Sequence, residues 1–145
     1  MNAEDLKKRT KEFALGILKL VAALPDTVQG KTIGGQLVRS GTSVASNYRA
    51  ACRGRSRAEF IAKLGIVEEE ADESAFWLEL IIEGELLKES DVQPLLDEAN
   101  ELTYRSVSYH SVCSFETFES KQKPAVDNRQ SEMKLNRQSA IGNRK

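Results

Sequence analysis

The sequence is poor in the residues that most chemistry needs. It holds one histidine, two cysteines, three prolines and one tryptophan in 145 residues. A carboxylate-bridged metal centre in a helical bundle takes a Glu-x-x-His motif on each of two helices, and His110 alone cannot supply it. Nor does His110 have a neighbour suited to acid–base or nucleophilic work, and Ser43 and Cys52 have no histidine near them in sequence. No catalytic role, metal or cofactor is therefore expected. Cys52 and Cys113 show no metal-ligand spacing and cannot make a disulfide framework, so both are expected reduced and buried. No apolar run approaches the ~20 residues of a membrane span. The charged start (Glu4, Asp5, Lys7, Lys8, Arg9) lacks the apolar centre of a signal peptide. A cytoplasmic protein with no membrane partner is the expectation.

What the chain does have is charge, 30% of residues against 40% hydrophobic, and that charge is sorted. Residues 1–118 carry 14 basic and 19 acidic side chains, whereas 119–145 carry 7 basic and 3 acidic. The first stretch is long enough for one packed domain. The second is polar, basic and poor in apolar residues, and is expected to be disordered without a partner. Between 39 and 63 stand six cations, Arg39, Arg49, Arg53, Arg55, Arg57 and Lys63, against the single anion Glu59. Glu68, Glu69, Glu70, Asp72 and Glu73 follow with no cation among them. Such a molecule has electrostatic poles whatever its net charge.

Apolar spacing predicts four helices. Leu6, Phe13, Ile17, Leu20, Val21 and Leu24 form a stripe that Pro25 closes. A second helix begins between Thr27 and Thr32, with Gly34 and Gly35 weakening its start. Its later residues are small (Gly41, Ser43, Ala45, Ser46, Ala50, Ala51), which lets a neighbouring helix come close. Asn47 is expected to bond across that contact. Arg53-Gly54 stops the helix, and Ser56-Arg57-Ala58-Glu59 matches a capping box opening the third. There Phe60, Leu64, Val67, Ala71, Ala75, Leu78 and Ile82 define the buried side, and Glu59 is spaced to pair with Lys63. Phe76 and Trp77 are adjacent, so one of them must leave the stripe and cover a second neighbour, which points to an oligomer. Asp91 is expected to cap the fourth helix, with Pro94 in its first turn and an end between 105 and 118. Short connections make this an all-α, up-down-up-down four-helix bundle.

The stretch RSGTSVASNYRAACRGRSRAEFIAKLGIVEEEADESAFWLEL closely resembles the four-helix-bundle proteins encoded within intervening sequences of bacterial 23S ribosomal RNA genes. That family includes the accessory variability determinant protein of diversity-generating retroelements. The resemblance covers about residues 5–110 and is densest from Gln36 to Glu83. Matching positions are Arg39, Ser40, Ser43, Asn47, Arg49, Arg53, Arg55, Ser56, Glu59, Phe60, Lys63, Glu69, Asp72, Glu73, Trp77 and Glu79. The resemblance implies a ring-like homopentamer without known enzymatic activity. It also implies, from the retroelement relatives, a basic surface that meets nucleic acid beside a reverse transcriptase.

Two readings of the cations follow. Arginine's planar fork fits phosphate, and phosphate contacts dominate nucleic-acid affinity, so Arg49, Arg53, Arg55, Arg57 and Lys63 are candidate contacts for nucleic acid, RNA before DNA. Alternatively the arginines pair with Glu69, Asp72 or Glu73 of the same or a neighbouring subunit and fix an assembly that docks another protein, such as a reverse transcriptase. Arg39 is the cation expected in such an ion pair. Asn47 and Trp77 join Glu69, Asp72 and Glu73 as structural or assembly residues.

Overall fold

A computed structural model describes residues 3–112, with side chains through Ser106. The expected basic tail, Cys113 and the His110 side chain lie outside what is described. Four helices make up the described chain: α1 (Ala3–Ala22), α2 (Val28–Ala51), α3 (Arg57–Glu83) and α4 (Glu89–Val112). Each packs on two neighbours in the cyclic order α1, α2, α3, α4, so α1 and α3 occupy opposite corners of an all-α bundle. The seams of α3 with α2 and with α4 are the broadest, and that between α1 and α4 is the narrowest.

The core is the predicted set of stripes brought face to face. Leu6, Phe13, Ile17 and Leu20 of α1 meet Leu37, Val44 and Tyr48 of α2. Leu64, Val67, Ala71, Leu78 and Ile81 of α3 and Val92, Leu96, Ala99 and Leu102 of α4 complete it. Ile81 is fully buried while Ile82 is half-buried, so the α3 stripe ends one residue before the spacing indicated. Gly34 and Gly41 lie inside α2 and mark its close approach to α1. A Cβ at Gly41 would stand 2.9 Å from Ile17 Cγ1, and one at Gly34 would stand 3.0 Å from Val21 Cγ1. The helix propensity these glycines give up is exchanged for backbone proximity to α1.

One polar pair sits within the apolar interior. Ser40 and Ser74 are fully buried, and their hydroxyls share a hydrogen bond of 2.9 Å between α2 and α3. Ser74 Oγ also donates to the Glu70 carbonyl at 2.7 Å. Along the narrow seam, the Arg9 guanidinium grips Glu98 with two nitrogens at 2.5 and 2.7 Å. That pairing raises the Arg9 pKa, the hydrogen bond to Glu98 being the largest cause.

The α3–α4 connection is a Schellman turn: the Leu86 amide bonds to the Ile81 carbonyl and the Glu85 amide to that of Ile82, both at 3.0 Å. A Cβ on Gly84 would fall 2.7 Å from the Leu80 carbonyl oxygen, so glycine is needed there for space. The left-handed position is the next residue, Glu85, at φ 54°. Helix α4 begins at Glu89, ahead of the expected Asp91 cap, because the Asp91 amide already bonds to the Lys88 carbonyl at 3.0 Å. Pro94 accordingly falls in the second turn, where it leaves the exposed Ser90 carbonyl without its helical amide. The β-branched and hydroxylated residues after Leu102 do not end α4 before Val112.

Candidate nucleic-acid interface

The end of α2, the turn and the start of α3 gather the cations. Helix α2 tightens as it stops: the Cys52 amide bonds to the Tyr48 carbonyl, Arg53 to Ala50 and Gly54 to Ala51, at 2.9–3.0 Å. A Cβ on Gly54 would lie 3.1 Å from the Ala51 oxygen, so the turn stays narrow. Ser56 then caps α3, its Oγ accepting the Glu59 amide at 3.1 Å. The Glu59 carboxylate reaches back to the Arg55 amide at 2.9 Å, closing the box one residue earlier than the ideal pattern. This use of Glu59 replaces the expected ion pair with Lys63, because the carboxylate is directed at a backbone amide rather than up the helix.

Four guanidinium groups are displayed on this frame. Arg49, Arg53, Arg55 and Arg57 are all exposed, and Lys63 is half-buried a turn further along α3. Arg49 and Arg53 form no ion pair among the described residues. Their position at the negative end of the α2 dipole favours positive side chains. The Tyr48 hydroxyl, which donates to the Ala3 carbonyl at 3.4 Å, ties the start of α1 to the same end of the bundle. Cys52 is half-buried against the core within this turn.

Arg39 is a different kind of residue. It lies ten positions before Arg49, about 15 Å back along the helix axis. Its guanidinium bonds to both Glu70 oxygens at 3.3–3.4 Å and closely to Glu73 Oε1. The Trp77 indole N–H donates to the same Glu73 oxygen at 3.1 Å. Arg39 first, and Trp77 second, hold the Glu73 carboxyl below the usual glutamate range, while Glu73 raises the Arg39 pKa. Arg39 is thus ion-paired, as the sequence indicated, but Glu70 joins Glu73 as its partner. Glu69 and Asp72 are exposed and make no ion pair among the described residues. Nothing local in the sequence distinguished Glu70 from Glu69. The α2–α3 register, in which Ser40 faces Ser74, decides it.

One further expectation changes. The Asn47 amide donates to the Ser43 carbonyl of its own helix at 3.0 Å and does not bond across to another helix of the bundle, since the preceding turn offers a closer acceptor. Of the aromatic neighbours, Trp77 packs half-buried on the core, and Phe76 leaves the stripe with 48% of its surface exposed. Their rings meet edge to face at 5.0 Å. Among the described residues no helix is long and apolar enough to cross a membrane, and no group of three or more histidine, cysteine or carboxylate side chains is placed to hold a metal ion.

The family model described as 23S rRNA-intervening sequence protein matches residues 4–107, which takes in all but the ends of the bundle. The chain belongs to this family. A solved relative of this intervening-sequence protein is a protein of unknown function from the S23 ribosomal protein family of Bacteroides thetaiotaomicron. It is 34% identical, with a TM-score of 0.66, over 73% of this chain and 98% of the other. Comparison with curated proteins gives no match.

Proposed function

We propose that this intervening-sequence protein is a non-enzymatic binder of nucleic acid, RNA before DNA, that works as a homo-oligomer, a pentamer by its family resemblance. Arg49, Arg53, Arg55 and Arg57, with Lys63 behind them, contact phosphates. The observation that carries this reading is the division among the arginines. Arg39 is held by Glu70 and Glu73, whereas Arg49 and Arg53 reach solvent with no carboxylate partner among the described residues. Exposed guanidinium forks that bond no neighbouring acid retain donors for an anionic polymer. Backbone contacts of this kind position a nucleic acid without reading its bases, so affinity depends weakly on sequence and steeply on salt.

The test is binding of a labelled single-stranded RNA across a salt series. Four engaged arginines give a slope of log affinity against log salt of about −3, at roughly −0.7 per phosphate. The triple variant Arg49→Glu, Arg53→Glu, Arg57→Glu is expected to lose binding while its sedimentation behaviour stays that of the parent. Unchanged binding by this variant overturns the reading. Dissociation of the assembly in the same variant shows instead that the arginines are spent in subunit contacts, the arrangement of a scaffold that docks another protein.

A further inference from the structure

The cations of the hairpin stop abruptly. Lys63 stands six residues beyond Arg57, about 9 Å further along the axis, and is the last cation of α3. Every charged residue of the helix after it is a carboxylate. Arg39 takes Glu70 and Glu73. Glu69, Asp72, Glu79 and Glu83 are exposed and form no ion pair among the described residues. With Phe76 between them they fall at spacings of three and four, which lines them along one side of α3 for about 21 Å. Helix α2 supplies nothing to offset them, since no charged side chain stands between Arg39 and Arg49. Beyond the hairpin tip, the described cations without an ion pair are Lys11 and Lys19 on α1, the corner opposite α3, and Lys88 in the far turn.

We infer that the α3 carboxylates set the limit of the nucleic-acid site and so determine how the ligand runs: across the tip of the hairpin, never lengthwise along α3. It rests on the nucleic-acid reading above and adds the path of the polymer and the residues that fix it. A backbone held by Arg49 and Arg53 that turned up α3 would pass Lys63 and then meet exposed carboxylates with no cation to offset them. Neighbours in the row stand about 5–6 Å apart, within a Debye length of about 8 Å at physiological ionic strength, so their repulsion is continuous along the helix. The ligand that fits is a nucleic acid offering a few phosphates to the end of the bundle, not one laid against its side. Glu69 and Asp72 thereby act as positioning residues, by exclusion, without touching the ligand.

Trp77 is the single tryptophan of the chain and lies on α3 within the carboxylate stretch, twenty residues and about 30 Å beyond Arg57. Its emission reports whether a nucleic acid passes along the helix, and the first measurement needs no substitution. The full chain is saturated with a single-stranded RNA, saturation being followed separately by polarisation of an end-labelled copy. Trp77 emission of the parent is expected to stay unchanged. In the variant Glu69→Lys, Asp72→Lys, Glu79→Lys the RNA is expected to extend up α3. Emission then falls on saturation, and the slope of log affinity against log salt steepens from about −3 to about −5, at roughly −0.7 per added phosphate contact. Emission that already falls in the parent overturns the limit. A variant that keeps the parent's slope and a silent Trp77 overturns the role of these carboxylates. In both cases loss of binding by the Arg49, Arg53, Arg57 triple variant still upholds the nucleic-acid reading. A parent that binds no RNA overturns that reading and this inference together.

Discussion

Replacing Glu85 by glycine is expected to stabilise the bundle, although it removes a side chain and adds none. Glu85 holds φ at 54° because the Schellman turn puts its left-handed residue one position after Gly84. A side chain bearing a Cβ costs about 1–2 kcal/mol in that conformation. Glycine avoids this cost but carries about 0.5–1 kcal/mol more unfolded-state freedom. The gain from the backbone is the difference, about 0.5–1 kcal/mol. The carboxylate contributes separately, since a negative charge at the negative end of the α3 dipole is unfavourable by about 0.3–1 kcal/mol. Glu85→Ala isolates that charge effect, because alanine keeps the Cβ and hence the strain. Urea unfolding followed by circular dichroism should rank the proteins parent, Glu85→Ala, Glu85→Gly in rising midpoint with unchanged slope. At roughly 4–8 °C per kcal/mol for a domain near this size, the step from alanine to glycine is worth about 2–8 °C in Tm. Equal midpoints for the two variants would mean that residue 85 is not held left-handed in solution, and the account of the turn would fail.

Gly41→Ala and Gly35→Ala should act in opposite directions. Both gain about 1 kcal/mol of helix propensity. Only the first forces a Cβ against buried Ile17, an overpacking worth about 1–3 kcal/mol, whereas nothing lies within 4 Å of a Cβ at Gly35. Thermal melts showing Gly41→Ala raised as much as Gly35→Ala would refute the close α1–α2 approach. The Arg39–Glu73 contact should appear as acid sensitivity. The folded Glu73 carboxyl sits below its unfolded value of about 4.3, so the unfolded chain binds the proton more readily. Its contribution is complete above that value and is lost as pH falls through the depressed one. Unfolding midpoints of the parent should decline more steeply with acid than those of Arg39→Gln, and parallel curves would contradict the pairing.

The architecture was legible because periodicity is local. The stripe of Leu6, Phe13 and Ile17 and the Ser56 cap of α3 lie within a few turns of chain, and each appears where the spacing put it. The turn arginines were legible for the same reason, being clustered in sequence on either side of a glycine stop. Long-range partners were not. Arg9 and Glu98 are 89 residues apart, and no nearby pattern links them. Ser74 breaks an otherwise apolar face and reads as a flaw until Ser40 is seen opposite it. Misjudged positions such as the start of α4 and the Asn47 acceptor share a cause. Backbone groups already available within one turn outcompete the side-chain partner that spacing suggests.

The two hydroxyls between α2 and α3 act as a key in a slot. The face of α2 around them alternates small residues with the fully buried Leu37 and Val44. A slip of one turn would part the oxygens and leave each hydroxyl only a carbonyl of its own helix, Leu37 for Ser40 and Glu70 for Ser74, at about 0.5–1.5 kcal/mol for the bond lost. Longitudinal alignment is therefore marked by a pair of atoms as well as by the bulk of the interior, and that alignment carries Arg39 to its acids and sets the arginine turn at the tip of the hairpin.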